Sequence, residues 1–232
     1  MSSKVFSLIP ALDDPDLANL DKLVQAVGNH PLLSGYKVGF ALGLTHGLPR
    51  VVETIRRHSD KPIIYDHQKA ATDIPATGKL FARTLKSAGV DTAILFPQAG
   101  PETLKHWVAA LVEEDMKVLV GGIMTHPAYL QSEGGYLSDE GTVDIYRLSH
   151  QLGVRGFVVP LTKPHEAKRV VEQAHLGPDC EFYSPGFGAQ GGDVTAFPFV
   201  RTHHLIVGRA LLQASDPAAW LDATGLTLRG VP

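Results

Sequence analysis

Strand-length apolar runs alternate with helical apolar patterns along the whole of this 232-residue chain, and that alternation constrains the fold more than any other feature. Residues 5–12 read as a strand, followed by a helical pattern carrying Leu17, Leu20, Leu23, Val24 and Val27 at three- and four-residue spacing. A second strand at 35–40 precedes a helix with Leu48, Val51, Val52 and Ile55 on one face. A third strand at 62–65 leads to a helix opening near Asp73-Ile74-Pro75, with Asp73 as a candidate N-cap and Pro75 in the first turn. Further strands are expected at 92–96, 117–120, 154–159, 181–183 (the weakest) and 204–207. Between them lie helices marked by Leu104, Trp107, Val108, Leu111 and Val112, by 139–152, and by Ala167, Val170, Val171 and Ala174. Short helices at 210–213 and 216–221 close the chain.

Parallel strands buried on both faces read as continuous apolar runs, and each crossover between them needs a dozen or more residues. Both conditions recur at every step, over eight strands and the seven connections between them. The expected fold is α/β, a (β/α)₈ TIM barrel, formed as a single domain over 1–232 because no linker or composition shift divides the chain. A doubly wound open sheet shares the alternation, but it has fewer units and no glycine-rich dinucleotide fingerprint follows the first strand.

The chain is 44% hydrophobic and 19% charged, which excludes disorder and provides material for a core. A net charge of −3 offers no basic excess to neutralise a nucleic-acid backbone. Cys180 is the only cysteine, so no intrachain disulfide forms and a reducing compartment fits. Met1-Ser2-Ser3-Lys4 leads into a short apolar run rather than a signal-peptide core, and no stretch approaches the ~18 apolar residues of a membrane span. A cytoplasmic protein with no membrane partner is expected.

In a barrel the strand C-termini face the site. Asp13 ends the first strand, Lys37 lies in the second, and Asp66, His67 and Lys69 follow the third. Thr125 and His126 end the fifth, where the long connection 124–138 is a candidate lid or a plain surface insertion. After the seventh strand comes Ser184-Pro185-Gly186-Phe187-Gly188-Ala189-Gln190-Gly191-Gly192-Asp193, and after the eighth Gly208-Arg209. Glycines let backbone N–H groups approach an anion, and an arginine adds a charge that grips phosphate in a fork. Their loops are the usual phosphate site of this fold. Lys37, Asp66, Lys69 and Asp73 form a second charged group, readable either as a proton-transfer site or as a structural ion-pair network.

These residues carry a resemblance. Over essentially its full length the chain resembles the orotidine 5′-monophosphate decarboxylase family, through Ala11-Leu12-Asp13, Tyr36-Lys37-Val38-Gly39, Asp66…Lys69…Asp73-Ile74-Pro75-Ala76-Thr77, Thr125-His126-Pro127, Pro185-Gly186-Phe187-Gly188-Ala189-Gln190-Gly191-Gly192-Asp193 and Val207-Gly208-Arg209. The family writes its central motif Asp-x-Lys-x-x-Asp-Ile-Pro, whereas here it is Asp66-x-x-Lys69-x-x-x-Asp73-Ile74-Pro75, with Asp66 and Lys69 separated by one residue more. On a regular strand that spacing puts them on opposite faces, so a bulge or an early exit from the strand is required for them to converge. His67 and Gln68 are alternative entrants to the site.

The resemblance implies decarboxylation of orotidine 5′-monophosphate to uridine 5′-monophosphate with no cofactor and no metal. It implies Lys69, Asp66, Lys37 and Asp73 as catalytic residues, and Asp13, Lys37, Thr125, Pro185, Gly188, Gln190, Gly208 and Arg209 as substrate-binding residues. It also implies a homodimer in which Asp73 reaches the neighbouring subunit's site. A metal-dependent sugar-phosphate decarboxylase or aldolase of the same superfamily would want an acidic ligand near the second strand, where this chain has Lys37. An epimerase would want converging His and Asp ligands, and the 11 histidines show no such spacing: His203 and His204 are adjacent and face opposite ways, and His126 reads as a turn residue. A non-catalytic nucleotide-phosphate-binding barrel is the alternative from another class.

Overall fold

The computed structural model describes residues 4–67, 70–188 and 190–231. Among them eight parallel strands close into a barrel in sequence order. They are β1 (Val5–Leu12), β2 (Tyr36–Gly39), β3 (Ile63–Asp66), β4 (Thr92–Leu95), β5 (Lys117–Gly121), β6 (Gly156–Val158), β7 (Glu181–Pro185) and β8 (Thr202–Val207). The barrel closes by pairing β1 with β8 in register from Val5 opposite Thr202 to Pro10 opposite Val207. Around it run α1 (Leu17–Val27), α2 (Phe40–His46), α3 (Leu48–Arg56), α4 (Gly78–Ser87), α5 (Pro101–Glu113), α6 (Asp139–Gln151), α7 (Pro164–Gln173), α8 (Arg209–Leu212) and α9 (Pro217–Arg229).

The period of two along each strand divides the apolar residues into two cores. Outward residues such as Leu8, Leu12, Val38, Val118, Phe157, Leu205 and Val207 pack under the helices. Inward residues Ile9, Ala11, Ile64, Ile94, Leu119, Val158, Tyr183 and Ile206 fill the barrel itself. Each large aliphatic side chain so buried contributes about 1.5–3 kcal/mol of transfer free energy. Below this layer the barrel ends in polar groups: Lys117 Nζ lies 2.6 Å from Glu181 Oε2, and Ser7 Oγ lies 2.6 Å from His204 Nδ1. The helices begin on sequence signals. Asp16 accepts from the Ala18 N–H to cap α1, Ser138 from the Gly141 N–H to cap α6, and Asp216 from the Ala219 N–H to cap α9.

Four local expectations change. Asp73 does not cap a helix: its carboxylate accepts from the adjacent Ile74 N–H, a 3₁₀ turn occupies Pro75–Thr77, and α4 starts only at Gly78. α2 begins at Phe40, the expected end of the second strand, and fills a stretch to which no element was assigned. The weak seventh strand runs through Ser184 to Pro185, because β8 pairs with all of it. The closing helix α9 extends to Arg229.

Candidate active site

At the C-terminal end of the barrel lies a cavity of about 320 Å³ lined by residues from all eight strands or the loops that follow them. Three sectors succeed one another around its wall. The first is ionic. Asp13 follows β1, Lys37 points inward from β2, and Asp66 ends β3. Lys37 Nζ lies 3.2 Å from Asp13 Oδ1 and 3.2 Å from Asp66 Oδ2, with its side chain only 7% exposed. Burial is the largest influence on Lys37 and works to lower its pKa. The facing carboxylates of Asp66 and Asp13 outweigh it, and the ammonium titrates above its ordinary value.

The second sector is apolar: Ile94, Phe96, Ile123, Met124 and Val158, followed at its upper edge by Thr125. Sequence reasoning missed this wall, although period-two inward positions at strand ends were the available signal. Phe96 fits because Gly121 faces it from β5; a Cβ there would sit 2.4 Å from the ring.

The third sector comes from β7 and β8. Pro185, Gly186, Phe187, Gln190, Gly208 and Arg209 line it. Gly186 has φ of 107°, a conformation that favours glycine, and it turns the chain out of β7 into the loop. Arg209 opens α8 and is exposed at the rim, with no carboxylate partner among the described residues. A cavity with a free guanidinium and a glycine loop at one side, an apolar middle and a Lys–Asp pair at the other suits an anionic tail, a flat ring and a charged reacting group.

Of the expected residues, Asp13, Lys37, Asp66, Thr125, Pro185, Gln190, Gly208 and Arg209 line the cavity. Asp73 and Gly188 do not: Asp73 is exposed beyond β3, its carbonyl accepting from the Thr103 hydroxyl at 2.8 Å, and Gly188 is exposed on the β7 loop. Lys69 and Gln68 lie outside the described residues. β3 ends at Asp66. His67 does not enter the cavity; its Nδ1 lies 2.7 Å from the Tyr65 hydroxyl and its ring packs edge-on against Phe81. The described His, Cys, Asp and Glu residues form one group close enough to share an ion, His150, Asp179 and Cys180, at the opposite end of the barrel, where Asp179 is held by Arg155 Nε at 2.7 Å.

Residues 7–223 match the family model for Orotidine 5′-phosphate decarboxylase / HUMPS family. This chain belongs to that family. Among curated members, the orotidine 5′-phosphate decarboxylase of Methanococcoides burtonii is 30% identical over 211 residues, covering 91% of this chain and 92% of the relative. The Methanosarcina barkeri enzyme of the same name is 30% identical over 210 residues, covering 90% and 89%. Among solved structures, the Methanocaldococcus jannaschii orotidine 5′-monophosphate decarboxylase complexed with the inhibitor BMP superposes with a TM-score of 0.80 at 27% identity, covering 98% of this chain and 99% of that one. The orotidine 5′-phosphate decarboxylase of Pyrococcus horikoshii gives 0.79 at 26%, covering 97% and 100%. The barrel, with its helices, is thus the decarboxylase family's fold from end to end. No helix among the described residues is long and apolar enough to cross a membrane.

Proposed function

We propose that this chain, acting as one barrel domain over residues 1–232, decarboxylates orotidine 5′-monophosphate to uridine 5′-monophosphate in pyrimidine biosynthesis. The observation that carries the reading is the cavity's order: an arginine and glycine loop, an apolar wall, then Lys37 between two aspartates. Membership of the decarboxylase family supports the same substrate.

In this reading Arg209 and Gln190 hold the phosphate with the backbone of Gly208, and Pro185 shapes the wall beside it. Asp13 and Lys37 take the ribose hydroxyls, and Thr125 borders the pyrimidine. Asp66 stands near the substrate carboxylate and orders the lysines. The C6–carboxylate bond breaks, CO₂ leaves, and the electron pair remains on C6. The Lys69 ammonium transfers a proton to C6 and is reprotonated from solvent. Binding energy from the remote phosphate holds the base against this machinery. The ammonium of Lys37 already stands between the two carboxylates that a divalent cation would need, which disfavours the metal-dependent sugar-phosphate alternative.

The functional unit is a homodimer with shared active sites in the cytoplasm. Asp73 is exposed beside Ile74 and Leu80, which are 60% and 70% exposed, and a second subunit covering them would receive Asp73 in its site. The test is turnover in D₂O. Uridine 5′-monophosphate carrying deuterium at C6 supports carbanion protonation, and a phosphate-bearing product other than uridine 5′-monophosphate overturns the reading.

A further inference from the structure

The loop after β5 and the loop after β6 are joined by an ion pair that takes no part in lining the cavity. Lys163, just ahead of α7, pairs with Glu133, with side-chain exposures of 12% and 20%. Lys163 Nζ also donates to the carbonyl of His126 at 3.0 Å. Glu133 in turn organises its own loop, its Oε2 accepting from the Tyr129 N–H at 3.0 Å and the Leu130 N–H at 3.4 Å. Burial works to raise the Glu133 carboxyl, but Lys163 and these backbone donors hold it below the usual range. The held carbonyl belongs to the residue next to Thr125, which borders the cavity.

The other side of the same short segment packs on the phosphate-side loop. The Leu161 N–H donates to the Pro185 carbonyl at 2.9 Å. Leu161 also lies so close to Gly192 that a Cβ there would come within 2.7 Å of it. The Thr162 methyl lies 3.1 Å from where a Cβ on Gly186 would stand. The Thr162 hydroxyl is buried with no hydrogen-bond partner among the described residues. A buried orphan hydroxyl is costly, and this one sits where the two loops meet. Segment 160–163 therefore touches both the loop that carries Thr125 and the loop that carries Gly186 and Gln190.

We propose that Lys163 and Glu133 are positioning residues that tie the base-side loop to the phosphate-side loop, so that a nucleoside monophosphate is gripped at both ends together. The proposal rests on the nucleotide reading of the cavity. An exposed ion pair would contribute little, but this one is largely shielded and braces backbone as well as side chain. A ligand that engages only the phosphate-side loop does not draw on the tie, whereas a full nucleotide does.

The experiment compares uridine 5′-monophosphate with ribose 5-phosphate by calorimetry, on wild type, Lys163→Met, Lys163→Arg and Glu133→Gln, alongside thermal melts and kcat and KM for orotidine 5′-monophosphate. Lys163→Met is expected to lose at least about tenfold in uridine 5′-monophosphate affinity, while ribose 5-phosphate stays within about twofold. Lys163→Arg restores most of the loss, and Glu133→Gln, which keeps the backbone acceptor, falls between. Equal losses for both ligands mean general loosening of the fold and overturn the proposal, as does unchanged nucleotide affinity in Lys163→Met. If wild type binds uridine 5′-monophosphate without turnover, the decarboxylase reading falls, and the binding ratios still decide the tie.

Discussion

Lys37 Nζ stands 3.2 Å from Asp66 Oδ2, and the same ammonium is the counter-charge for Asp13. Its removal leaves two carboxylates facing each other across the cavity floor. Lys37→Met is therefore expected to lower kcat/KM for orotidine 5′-monophosphate at least ~100-fold. Stability should fall by about 1–3 kcal/mol, less than for a fully buried pair because Asp13 is half exposed. Steady-state kinetics and urea melts check the two halves separately.

Arg209 is the fixed charge on the opposite side of the cavity. Arg209→Ala is expected to weaken uridine 5′-monophosphate binding by about 2–4 kcal/mol, roughly 30- to 1000-fold, while uridine binding stays unchanged. Arg209→Lys should recover only part of the loss, since an ammonium lacks the planar fork. Calorimetry with the two ligands reads this directly; equal losses for both would remove Arg209 from phosphate binding.

The barrel was legible because parallel strands buried on both faces leave continuous apolar runs, and eight such runs with helical spacers admit few other folds. The glycine-and-arginine sector of the cavity was legible for a similar reason, since Gly186 and Gln190 sit in one sequence neighbourhood and Arg209 in the next strand's loop. The apolar wall was not. Phe96, Met124 and Val158 become one surface only when β4, β5 and β6 are placed side by side, and period two marks inward positions without separating cavity wall from barrel core. α2 escaped notice because Phe40-Ala41-Leu42-Gly43-Leu44-Thr45-His46 is one short element with a central glycine and one buried residue. Asp73 resembles an N-cap in sequence, but Pro75 starts a 3₁₀ turn before the α-helix can begin. The stretched Asp66…Lys69 spacing needs a bulge or an early exit for the two to converge; β3 ends at Asp66, and Lys69 lies outside the described residues.

His203 is buried in β8, its Nε2 2.7 Å from the Ser184 hydroxyl and its ring against Phe197. Burial, with smaller contributions from His204 and Lys4, pushes its pKa down to about 3, so it is neutral when folded. In the unfolded chain it titrates near ~6.5. The stability it permits is complete above that value and declines as pH falls from about 6.5 toward 3, by several kcal/mol in total. His203→Phe should flatten the loss of stability between about pH 6.5 and 4. Chemical denaturation at a series of pH values checks it, and an unchanged slope would show that His203 does not govern acid sensitivity.

Decarboxylation in this protein would run through a lysine-centred site despite the stretched motif. It is tested most directly by the loss of orotidine 5′-monophosphate absorbance on adding purified protein, with and without a chelator, beside Lys69→Ala. Turnover is expected to resist the chelator and to fall at least ~100-fold in Lys69→Ala. Folded wild-type protein that binds uridine 5′-monophosphate tightly yet leaves the substrate absorbance unchanged would contradict it.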